Sequence, residues 1–350
     1  MDDPTTGKMP ALVWEAPHEM VLREMPIPEP KPDEVLIRVA YVGICGSELS
    51  GYLGLNALRV PPLVMGHEFS GEVAALGNQA QGHNPALSIG QRVTANPMIY
   101  CRKCAYCQSE QNQLCQNRRL IGAHRPGAFA AYTTVPSWMV LPLPEGVGLR
   151  EGALSEPLAC AIHILSLLGE VAGKAFLITG AGPIGLFALQ ALLAGGASKV
   201  FVTDTDLDRR QAAIQFGATG LDPRNQDVVK LIREETGGTG VAAGIDAVGK
   251  AVTRQQCIAA TRTGGQVILS GLHEEISQVP VAEVIRREIT LQGSFCYTPA
   301  DFQKAIDWLR KKAASLDPWV VEARLSEGGA WFERLSAEKP EGVAKVLLVP

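Results

Sequence analysis

Four cysteines lie within fifteen residues in the pattern Cys101-x2-Cys104-x2-Cys107-x7-Cys115. Four thiolates at this spacing can wrap one loop around a tetrahedral zinc ion and leave no coordination position for a substrate, so the pattern predicts a structural zinc site. An iron–sulfur cluster would need ligands of the same type, and four free surface thiols would be a liability, so zinc is the expected occupant. A disulfide framework is disfavoured, because the chain is long and carries no export signal.

The composition is that of an ordinary globular protein with room for two domains. The chain has 350 residues, of which 46% are hydrophobic. Its net charge of -4 arises from 32 basic and 36 acidic residues mixed along the sequence, so it lacks the basic stripe that nucleic acids require. No apolar run reaches the roughly 18 residues of a membrane span, and the start MDDPTTGKMP is polar. We therefore expect a cytoplasmic protein that acts on a small molecule and binds neither nucleic acid nor membrane.

The composition and the hydrophobic pattern of the sequence change near residue 151. Residues 10–150 are rich in glycine, proline and short β-branched runs such as EVLIRVAYVGI, which predicts an irregular β-rich domain. Beyond residue 151, long apolar helical stretches are followed by short strands and helices in alternation, as in AFLITG at 175–180 and KVFVTD at 199–204. The predicted fold class is therefore α/β, with a doubly wound parallel sheet. The strand-like VAKVLLVP at the end of the chain is predicted to rejoin the first domain.

A glycine motif follows the first strand of this alternation. Gly180, Gly182 and Gly185 spell GAGPIG before a predicted helix that has Pro183 in its first turn. The first glycine permits a tight turn, the second lets the backbone approach a pyrophosphate, and the third allows close helix packing. A purely structural turn is the alternative, but the flanking strand and helix favour a dinucleotide site at the helix N-terminus.

The cofactor preference depends on the end of the second strand. Nineteen residues after the last motif glycine, Asp204 can accept hydrogen bonds from the adenosine ribose hydroxyls and would repel a ribose phosphate. This favours NAD over NADP, although Arg209 and Arg210 follow closely enough to leave NADP open. Val248, at the end of a later strand, either lines the nicotinamide side or belongs to the core.

A second set of metal-binding residues is dispersed along the chain. Cys45 lies in GICGSEL, His67 and Glu68 in MGHEFSGEV, and Glu156 in SEPLA. One thiolate, one imidazole and one or two carboxylates form an open zinc site that can exchange water for a substrate oxygen. Each residue alone has an ordinary core or surface interpretation, and the combination is what predicts the site. Cys160, one helical turn beyond Glu156, either borders the same cleft or is a buried core thiol.

Together these motifs resemble the zinc-containing medium-chain dehydrogenases, in particular the sorbitol, threonine and galactitol-phosphate dehydrogenase branch. The resemblance extends from Ala11 to Pro350 through GICGSE, GHEFSGEV, the four-cysteine loop, SEPLACAIH, GAGPIG and EKPEGVAKVLL. It implies a discontinuous GroES-like catalytic domain at 1–157 and 298–350 around a Rossmann NAD-binding domain at 158–297, with the active site between them. It also implies a homo-oligomer, more often a tetramer than a dimer.

The resemblance assigns roles to the dispersed residues. It implies that Cys45 and His67 are catalytic zinc ligands and that Glu68 is a ligand or an exchanging neighbour. Glu156 is either a direct ligand or the carboxylate that binds the zinc water. Ser47 takes the position of the hydroxyl that accepts the substrate proton. With the four-cysteine loop, these residues imply two zinc ions per chain.

Three residues depart from the family pattern. Glu48 stands where the family has an aspartate that supports the histidine ligand. Ser50 stands where many relatives have a histidine that passes the proton to solvent. Cys296, in GSFCY, replaces the substrate-contacting arginine of sorbitol dehydrogenases, which weakens an assignment to sorbitol itself.

The implied reaction is hydride transfer between an alcohol, a polyol or a polyol phosphate and NAD. Zinc would polarise the substrate hydroxyl, and Ile184 would press on the nicotinamide that receives the hydride. The candidate substrate contacts are Tyr52, Leu53, Phe129, Phe295 and Tyr297. L-threonine 3-dehydrogenase and a simple secondary alcohol or butanediol dehydrogenase are alternatives, and a zinc-stabilised NAD-binding protein without catalysis is an alternative from another class.

Overall fold

The structure is a computed structural model that describes residues 7–337 and 342–350. The EKPE part of the closing sequence motif, residues 338–341, lies outside the described residues. Along the chain, a stretch of short strands is followed by alternating helices and strands, and then by a short mixed stretch. The change falls near residue 151, where the sequence predicts it.

The first stretch is interrupted by many glycines and prolines, which keep its elements short. Its strands are β1 (Lys8–Ala16), β2 (Glu19–Pro26), β3 (Glu34–Gly43), β4 (Leu63–Val64), β5 (Glu68–Leu76), β6 (Arg92–Ala95), β7 (Met98–Ile99), β8 (Arg119–Leu120), β9 (Tyr132–Pro136) and β10 (Val140–Pro142). Its helices are α1 (Gly46–Tyr52), α2 (Ala80–His83), α3 (Ala105–Gln108) and α4 (Leu149–Gly152), with 3-10 turns at Asn112–Leu114 and Ser137–Met139.

The second stretch alternates apolar strands with helices. It comprises α5 (Ser155–Leu168), β11 (Ala175–Thr179), α6 (Pro183–Ala194), β12 (Lys199–Thr203), α7 (Leu207–Gln215), β13 (Thr219–Leu221), α8 (Val228–Glu235), β14 (Val241–Asp246), α9 (Ala251–Ala260), β15 (Thr261–Leu269), α10 (Val281–Arg286) and β16 (Thr290–Gly293). The last stretch holds α11 (Pro299–Arg310), β17 (Val320–Arg324), a 3-10 turn at Leu325–Glu327, α12 (Gly328–Ser336) and β18 (Lys345–Val349).

Six parallel strands form one sheet in the order β13-β12-β11-β14-β15-β16. The order reverses between β11 and β14, and this reversal is the point at which doubly wound sheets bind ligands beyond their carboxyl ends. The prediction of a doubly wound α/β sheet is therefore confirmed. Because GAGPIG follows β11 directly, the glycine motif lies at the reversal.

The C-terminal strand returns to the first stretch, as predicted. β18 runs antiparallel to β3, with Leu347 opposite Gly43, in a sheet ordered β10-β6-β5-β3-β18-β17 with β9 also paired to β3. Smaller sheets join β2, β1 and β4, and join β7 to β8. This return brings Lys345 from the end of the chain to the loop that follows β3, which carries Cys45.

Three elements are poorly marked in the sequence. Helix α9 ends at Ala260, because Thr261 adopts an extended conformation and begins β15. The short strand β13 contains a glycine and has only three residues, so it has almost no alternating pattern. Helix α12 opens with two glycines, which lower its helix propensity. Among the helices of the described residues, none combines the length and apolarity needed to cross a membrane.

Candidate functional site

The loop between β7 and β8 brings its four cysteines together. The Sγ atoms of Cys101, Cys104, Cys107 and Cys115 all lie within 4.8 Å of one another. Cys104 and Cys107 are separated by 3.5 Å at sulfur, and Cys101 and Cys107 by 3.9 Å. A zinc ion with Zn–S bonds of about 2.3 Å has sulfur–sulfur edges of about 3.8 Å. The four sulfurs therefore fit a closed, structural zinc site.

Backbone amides stabilise the thiolate form of one of these cysteines. The N–H groups of Lys103 and Cys104 donate to Cys101 Sγ and lower its pKa to about 6. Burial and the neighbouring thiols raise the pKa of Cys107 to about 12. A bound cation would favour the thiolate form of each sulfur, since the thiolate is the ligand species.

A second cluster contains three different donor types. Cys45 is the residue before α1, Glu68 is the first residue of β5, and His67 directly precedes it. The antiparallel pairing of β3 with β5 places Gly43 opposite Glu68 and so brings the two segments together. One donor atom from each of the three residues lies within 4.8 Å of the others. Three protein ligands leave a tetrahedral zinc ion one open position, so this set fits a catalytic metal.

Glu48 holds the imidazole of His67 in a fixed orientation. Its Oε1 lies 2.8 Å from His67 Nδ1 and accepts the Gly66 N–H at 2.8 Å, while its Oε2 accepts the Cys45 N–H at 3.0 Å. Glu48 is fully buried. Burial acts to raise the pKa of Glu48, but the charge and hydrogen bond of His67 outweigh it and lower the pKa. The longer side chain is thus accommodated by three partners, and His67 Nε2 remains available for a metal.

Lys345 is a member of the site that sequence reasoning missed. Its ammonium group is buried, forms an ion pair with Glu68 and donates to the Ile44 carbonyl oxygen at 3.0 Å. Burial acts to lower the pKa of Lys345, but the charges of Glu68 and Cys45 outweigh it and raise the pKa. The only signal in the sequence is a lysine within the apolar strand VAKVLLVP. Lys345 restrains Glu68 and supplies positive charge beside the cluster.

Glu156 lies beside the three-donor cluster, in the first turn of α5. Burial raises its pKa to about 7, with the charge of His67 lowering it and that of Glu68 raising it further. Tyr297 hydrogen-bonds to Glu156 and is itself fully buried. Cys160 Sγ lies 3.9 Å from Glu156 Oε1, as the spacing of one helical turn predicts. Glu156 therefore places a buried carboxyl group beside the three-donor cluster.

Ser47 lies close to Cys45 and to a buried arginine. Its Oγ is 3.5 Å from Cys45 Sγ and accepts a hydrogen bond from Arg59 Nη2 at 3.2 Å. Arg59 Nη1 donates to the Ser47 carbonyl oxygen at 3.1 Å. Ser50, at the position of the family's relay histidine, donates to the Gly46 carbonyl oxygen at 3.3 Å. The sequence offered no motif for Arg59, which comes from the irregular loop after α1.

The glycine motif adopts the geometry that its predicted roles require. Gly180 has φ of +94°, so it makes the turn after β11. A Cβ on Gly185 would overlap the Gly180 carbonyl oxygen, so only glycine permits this helix–strand approach. Around Gly182, the N-cap of α6, an added Cβ would have no described heavy atom within 4 Å. The helix N-terminus, with Pro183 and the half-buried Ile184 in its first turn, is thus open to a pyrophosphate.

Asp204 contacts this motif directly. Its Oδ2 accepts the Ala181 N–H at 2.8 Å, and its Oδ1 accepts the Asp206 N–H at 2.8 Å. Arg209 donates to the Val343 carbonyl oxygen at 3.1 Å, and Arg210 pairs with Asp222 at 3.2 Å. Both arginines therefore have partners within the protein. Val248 packs so closely on the motif that a Cβ on Gly180 would lie 2.7 Å from its side chain.

The candidate substrate contacts fall into two groups. Tyr52 and Phe129 are buried and both pack against Phe332, so their positions are explained by the core. Leu53, at the end of α1, is half-buried against the same core. Phe295, by contrast, is 37% exposed, with the guanidinium of Arg118 stacked 4.8 Å from its ring centre.

Comparison with known proteins agrees with these motifs. Residues 31–145 match the family model described as alcohol dehydrogenase GroES-like domain, and residues 183–311 match that described as zinc-binding dehydrogenase. The chain is 33% identical to a sorbitol dehydrogenase of Halalkalibacterium halodurans, over 94% of this chain and 95% of that protein. It is 34% identical to a D-arabitol-phosphate dehydrogenase of Enterococcus avium, over 87% of each.

Similarity in three dimensions covers almost the whole chain. A zinc-binding dehydrogenase of Sinorhizobium meliloti bound to NADP superposes with a TM-score of 0.88 at 32% identity, covering 98% of this chain and 100% of that one. The GroES-like domain, the dinucleotide-binding sheet and the predicted oxidoreductase chemistry are thereby confirmed. This chain belongs to the zinc-dependent medium-chain polyol dehydrogenase family of oxidoreductases.

Proposed function

We propose that this enzyme transfers a hydride between a secondary hydroxyl of a polyol or polyol phosphate and NAD. The observation that carries the proposal is the open cluster of Cys45, His67 and Glu68, whose donor atoms lie within 4.8 Å of one another. Its imidazole is oriented by Glu48 and its carboxylate by Lys345, which is how catalytic metal ligands are supported. A merely structural site would close the fourth position with another protein ligand.

Cys45, His67 and Glu68 would hold the catalytic zinc ion, and the four-cysteine loop would hold the structural one. The catalytic ion supplies Lewis acidity that lowers the pKa of the substrate hydroxyl. Glu156 stands outside the tight cluster and bonds to Tyr297, so we assign it to the substrate side of the site rather than to the ligand set.

In this proposal Ser47 takes the proton of the substrate hydroxyl on Oγ and releases its own hydroxyl proton to solvent, since its side chain is only half-buried. Its Oγ has two lone pairs, and Arg59 donates to one of them, which leaves the other for the substrate hydroxyl. The Arg59 contact also fixes the serine in place, because Arg59 bonds to both the hydroxyl and the carbonyl oxygen of Ser47. Ser50 donates its hydroxyl proton to the Gly46 carbonyl oxygen of the same helix. The proton released at Ser47 therefore does not follow the histidine relay that relatives with a histidine at this position use.

NAD is the preferred cofactor in this proposal. Asp204 carries a negative charge at the end of β12 and contacts the glycine motif, where the adenosine ribose of a dinucleotide lies. A ribose phosphate would meet that charge, and the nearby Arg209 and Arg210 already have protein partners. Ile184 and Val248 complete the proposed cofactor site on the nicotinamide side.

Family membership supports a proposal for the domain bounds, the location and the assembly of the chain. We propose a GroES-like catalytic domain at 1–157 and 298–350, a Rossmann domain at 158–297, and a cytoplasmic homo-oligomer, with a tetramer favoured over a dimer. The proposed active site lies in the cleft between the domains.

A spectrophotometric screen of zinc-replete enzyme tests the function. NADH formation is measured with polyols, polyol phosphates, butanediol and L-threonine. Turnover of a polyol or polyol phosphate supports the proposal, and a clear preference for butanediol or L-threonine would replace it with one of those activities. Absence of turnover with all of them, in enzyme that holds both zinc ions and binds NAD, would contradict it.

A further inference from the structure

Asp246 is the last residue of β14, at the reversal of the parallel sheet, and it is fully buried. Its Oδ1 accepts the Val248 N–H at 3.1 Å and the Gly249 N–H at 3.0 Å. The same oxygen accepts the Thr179 hydroxyl at 3.1 Å, and Thr179 is the residue directly before the glycine motif. One carboxylate therefore joins the loop after β14 (residues 247–250) to the strand that carries the glycine motif.

Arg254, in the first turn of α9, connects this carboxylate to a second loop. Its Nε lies 3.5 Å from Asp246 Oδ2, and its side chain is 12% exposed. Its two terminal nitrogens donate to three acceptors in the loop after β15 (residues 270–280), namely the carbonyl oxygens of Gly271 and Glu274, each at 3.2 Å, and Ser277 Oγ. Because a guanidinium presents its N–H groups in a rigid planar fork, this one side chain holds both loops.

The two loops are also in direct backbone contact. A Cβ on Gly249 would lie 2.3 Å from the carbonyl carbon of Gly271, and a Cβ on Gly271 would lie 2.1 Å from the Gly249 nitrogen. The Glu274 N–H donates to the Gly249 carbonyl oxygen at 2.8 Å, and the Glu274 carboxylate accepts the Ala251 N–H at 2.7 Å. With contacts this close, a displacement of the loop after β15 would also displace the loop after β14.

The strand order places both loops on the nicotinamide side of the proposed cofactor site. In that site the adenosine lies beside Asp204, which follows β12, and the pyrophosphate lies at the start of α6, beside β11. Since β14 and β15 lie on the other side of β11, the remaining half of a dinucleotide extends over their carboxyl ends. Beyond β16, the next strand in that direction, Tyr297 hydrogen-bonds to Glu156 beside the three-donor cluster. The two loops therefore lie between the glycine motif and the segment that reaches the metal donors.

We propose that Arg254 is a positioning residue for hydride transfer, which holds the loops after β14 and β15 in the arrangement that orients the nicotinamide ring towards the substrate. It acts through Asp246, Val248 and the backbone of Gly271 rather than by contact with the cofactor. Misplacing a reacting group by about 1 Å can reduce a rate by about 100-fold, so the rigidity of these loops matters for turnover. This inference rests on the proposed NAD-dependent function.

The test compares the whole reduced cofactor with a fragment that has no nicotinamide. NADH and ADP-ribose are titrated calorimetrically into zinc-replete wild-type enzyme and into Arg254→Gln. Because ADP-ribose lacks only the nicotinamide, its Kd reports whether the adenosine and pyrophosphate parts of the site are intact in the same protein. In Arg254→Gln the Kd for NADH should rise by about tenfold or more, and the Kd for ADP-ribose should change by less than about twofold.

Two further variants locate the effect. Arg254→Lys keeps the charge but loses the planar fork, so its Kd for NADH should rise by about three- to fivefold, and it serves as the test protein if Arg254→Gln does not fold. Arg287→Gln is the matched control, because Arg287 is also largely buried, at 18% exposure, and donates to the Ile258 carbonyl oxygen at 3.1 Å near the opposite end of α9. Arg287→Gln should bind NADH and ADP-ribose as the wild type does. Urea denaturation checks that each variant is folded.

Equal weakening of NADH and ADP-ribose, or unchanged binding of NADH, would overturn the positioning role and leave the dehydrogenase proposal standing. The same holds if Arg287→Gln weakens NADH selectively, as Arg254→Gln is expected to do. The titrations use no alcohol, so they decide this inference even if the enzyme oxidises no polyol and the proposed function falls. If the wild type binds NADPH more tightly than NADH, then NADPH and the 2′-phosphate of ADP-ribose replace the two ligands, and the same fold-changes are expected.

Discussion

The Glu48 carboxylate lies 2.8 Å from Nδ1 of His67 and also accepts the amides of Gly66 and Cys45. One buried side chain therefore fixes the ring of one proposed metal ligand and the backbone of another. The carboxylate–imidazole contact selects the tautomer that offers Nε2 to a metal. In the proposed catalytic metal site, the glutamate that replaces the family's aspartate therefore acts as a positioning residue.

Glu48→Gln removes the negative charge that orients and strengthens His67 as a ligand. We expect zinc affinity and kcat/KM to fall by about 10- to 100-fold, the usual effect of losing such a support. Chelator competition and steady-state kinetics measure the two quantities. Glu48→Asp retains the charge on a shorter side chain, so its zinc affinity and kcat/KM should fall less than those of Glu48→Gln. Glu72→Gln, which alters a partly exposed ion pair with Arg38, is the control. Unchanged zinc affinity in Glu48→Gln would contradict the assigned role.

Substitutions at two motif glycines should have different effects, one on cofactor binding and the other on the stability of the fold. Gly182→Ala places a methyl group in open space at the start of α6, so the free energy of unfolding should hardly change while the Kd for NAD rises about tenfold or more. Gly185→Ala forces a methyl group against the Gly180 carbonyl oxygen and should lower the free energy of unfolding by about 1–3 kcal/mol. Urea denaturation and NADH fluorescence titration measure the two effects. The reverse pattern would show that the two glycines have been assigned the wrong roles.

Asp204 should determine the choice between NAD and NADP. Asp204→Ala removes the hydrogen bonds to the ribose hydroxyls, so the KM for NAD should rise by about tenfold. It also removes the repulsion of a ribose phosphate, so the ratio of kcat/KM with NAD to kcat/KM with NADP should fall. Steady-state kinetics with both cofactors provide the ratio. Asp208→Ala, an exposed aspartate on α7, should leave both values unchanged. If Asp204→Ala changes neither KM, Asp204 is not part of the cofactor site.

Asp301 joins α11 to α5, the helix that carries Glu156. Its carboxylate accepts hydrogen bonds from the Thr298 amide at 3.0 Å, the Thr298 hydroxyl at 2.7 Å and Ser166 Oγ at 3.0 Å, and lies 2.8 Å from His163 Nδ1. Burial acts to raise the pKa of Asp301, but the bonds from His163 and Thr298 outweigh it and lower the pKa to about 2. Asp301→Asn should therefore lower the free energy of unfolding by about 2 kcal/mol at neutral pH.

The Asp301 carboxylate should also make the free energy of unfolding depend on pH. As the pH falls below about 4, the unfolded chain takes up a proton at Asp301 before the folded chain does, so this stabilisation is lost between about pH 4 and pH 2. The difference in unfolding free energy between wild type and Asp301→Asn should shrink by about 1–2 kcal/mol across that window. Denaturant titrations at several pH values measure it, with Asp307→Asn on the same helix as control. A difference that stays constant with pH would contradict the low pKa.

Local motifs made much of the fold and site predictable. The four cysteines are close in sequence, and the glycine motif needs only the strand before it and the helix after it. Cys160 and Glu156 are one helical turn apart, and their side chains lie 3.9 Å apart at Sγ and Oε1. In each case a few consecutive residues determine the geometry.

Contacts between distant segments could not be predicted in this way. Lys345 reaches Glu68 only because β18 pairs with β3 in one particular register, with Leu347 opposite Gly43. The sequence does not specify that register. Cys296 has φ of +50°, which turns Tyr297 inward towards Glu156 while Phe295 stays partly exposed. The alternation of polar and apolar residues in the sequence does not predict such a turn.

Zinc counting on Cys45→Ser tests the central claim most directly. The wild-type chain should hold two zinc ions, since it has two clusters of donors, and Cys45→Ser should hold one. The variant should lose most of its turnover and retain the wild-type Kd for NADH, while Cys257→Ala, which removes a buried thiol outside both clusters, should keep both ions and the activity. If Cys45→Ser still holds two zinc ions and turns over normally, or if it loses NADH binding together with turnover, Cys45 is not a ligand of a catalytic zinc ion.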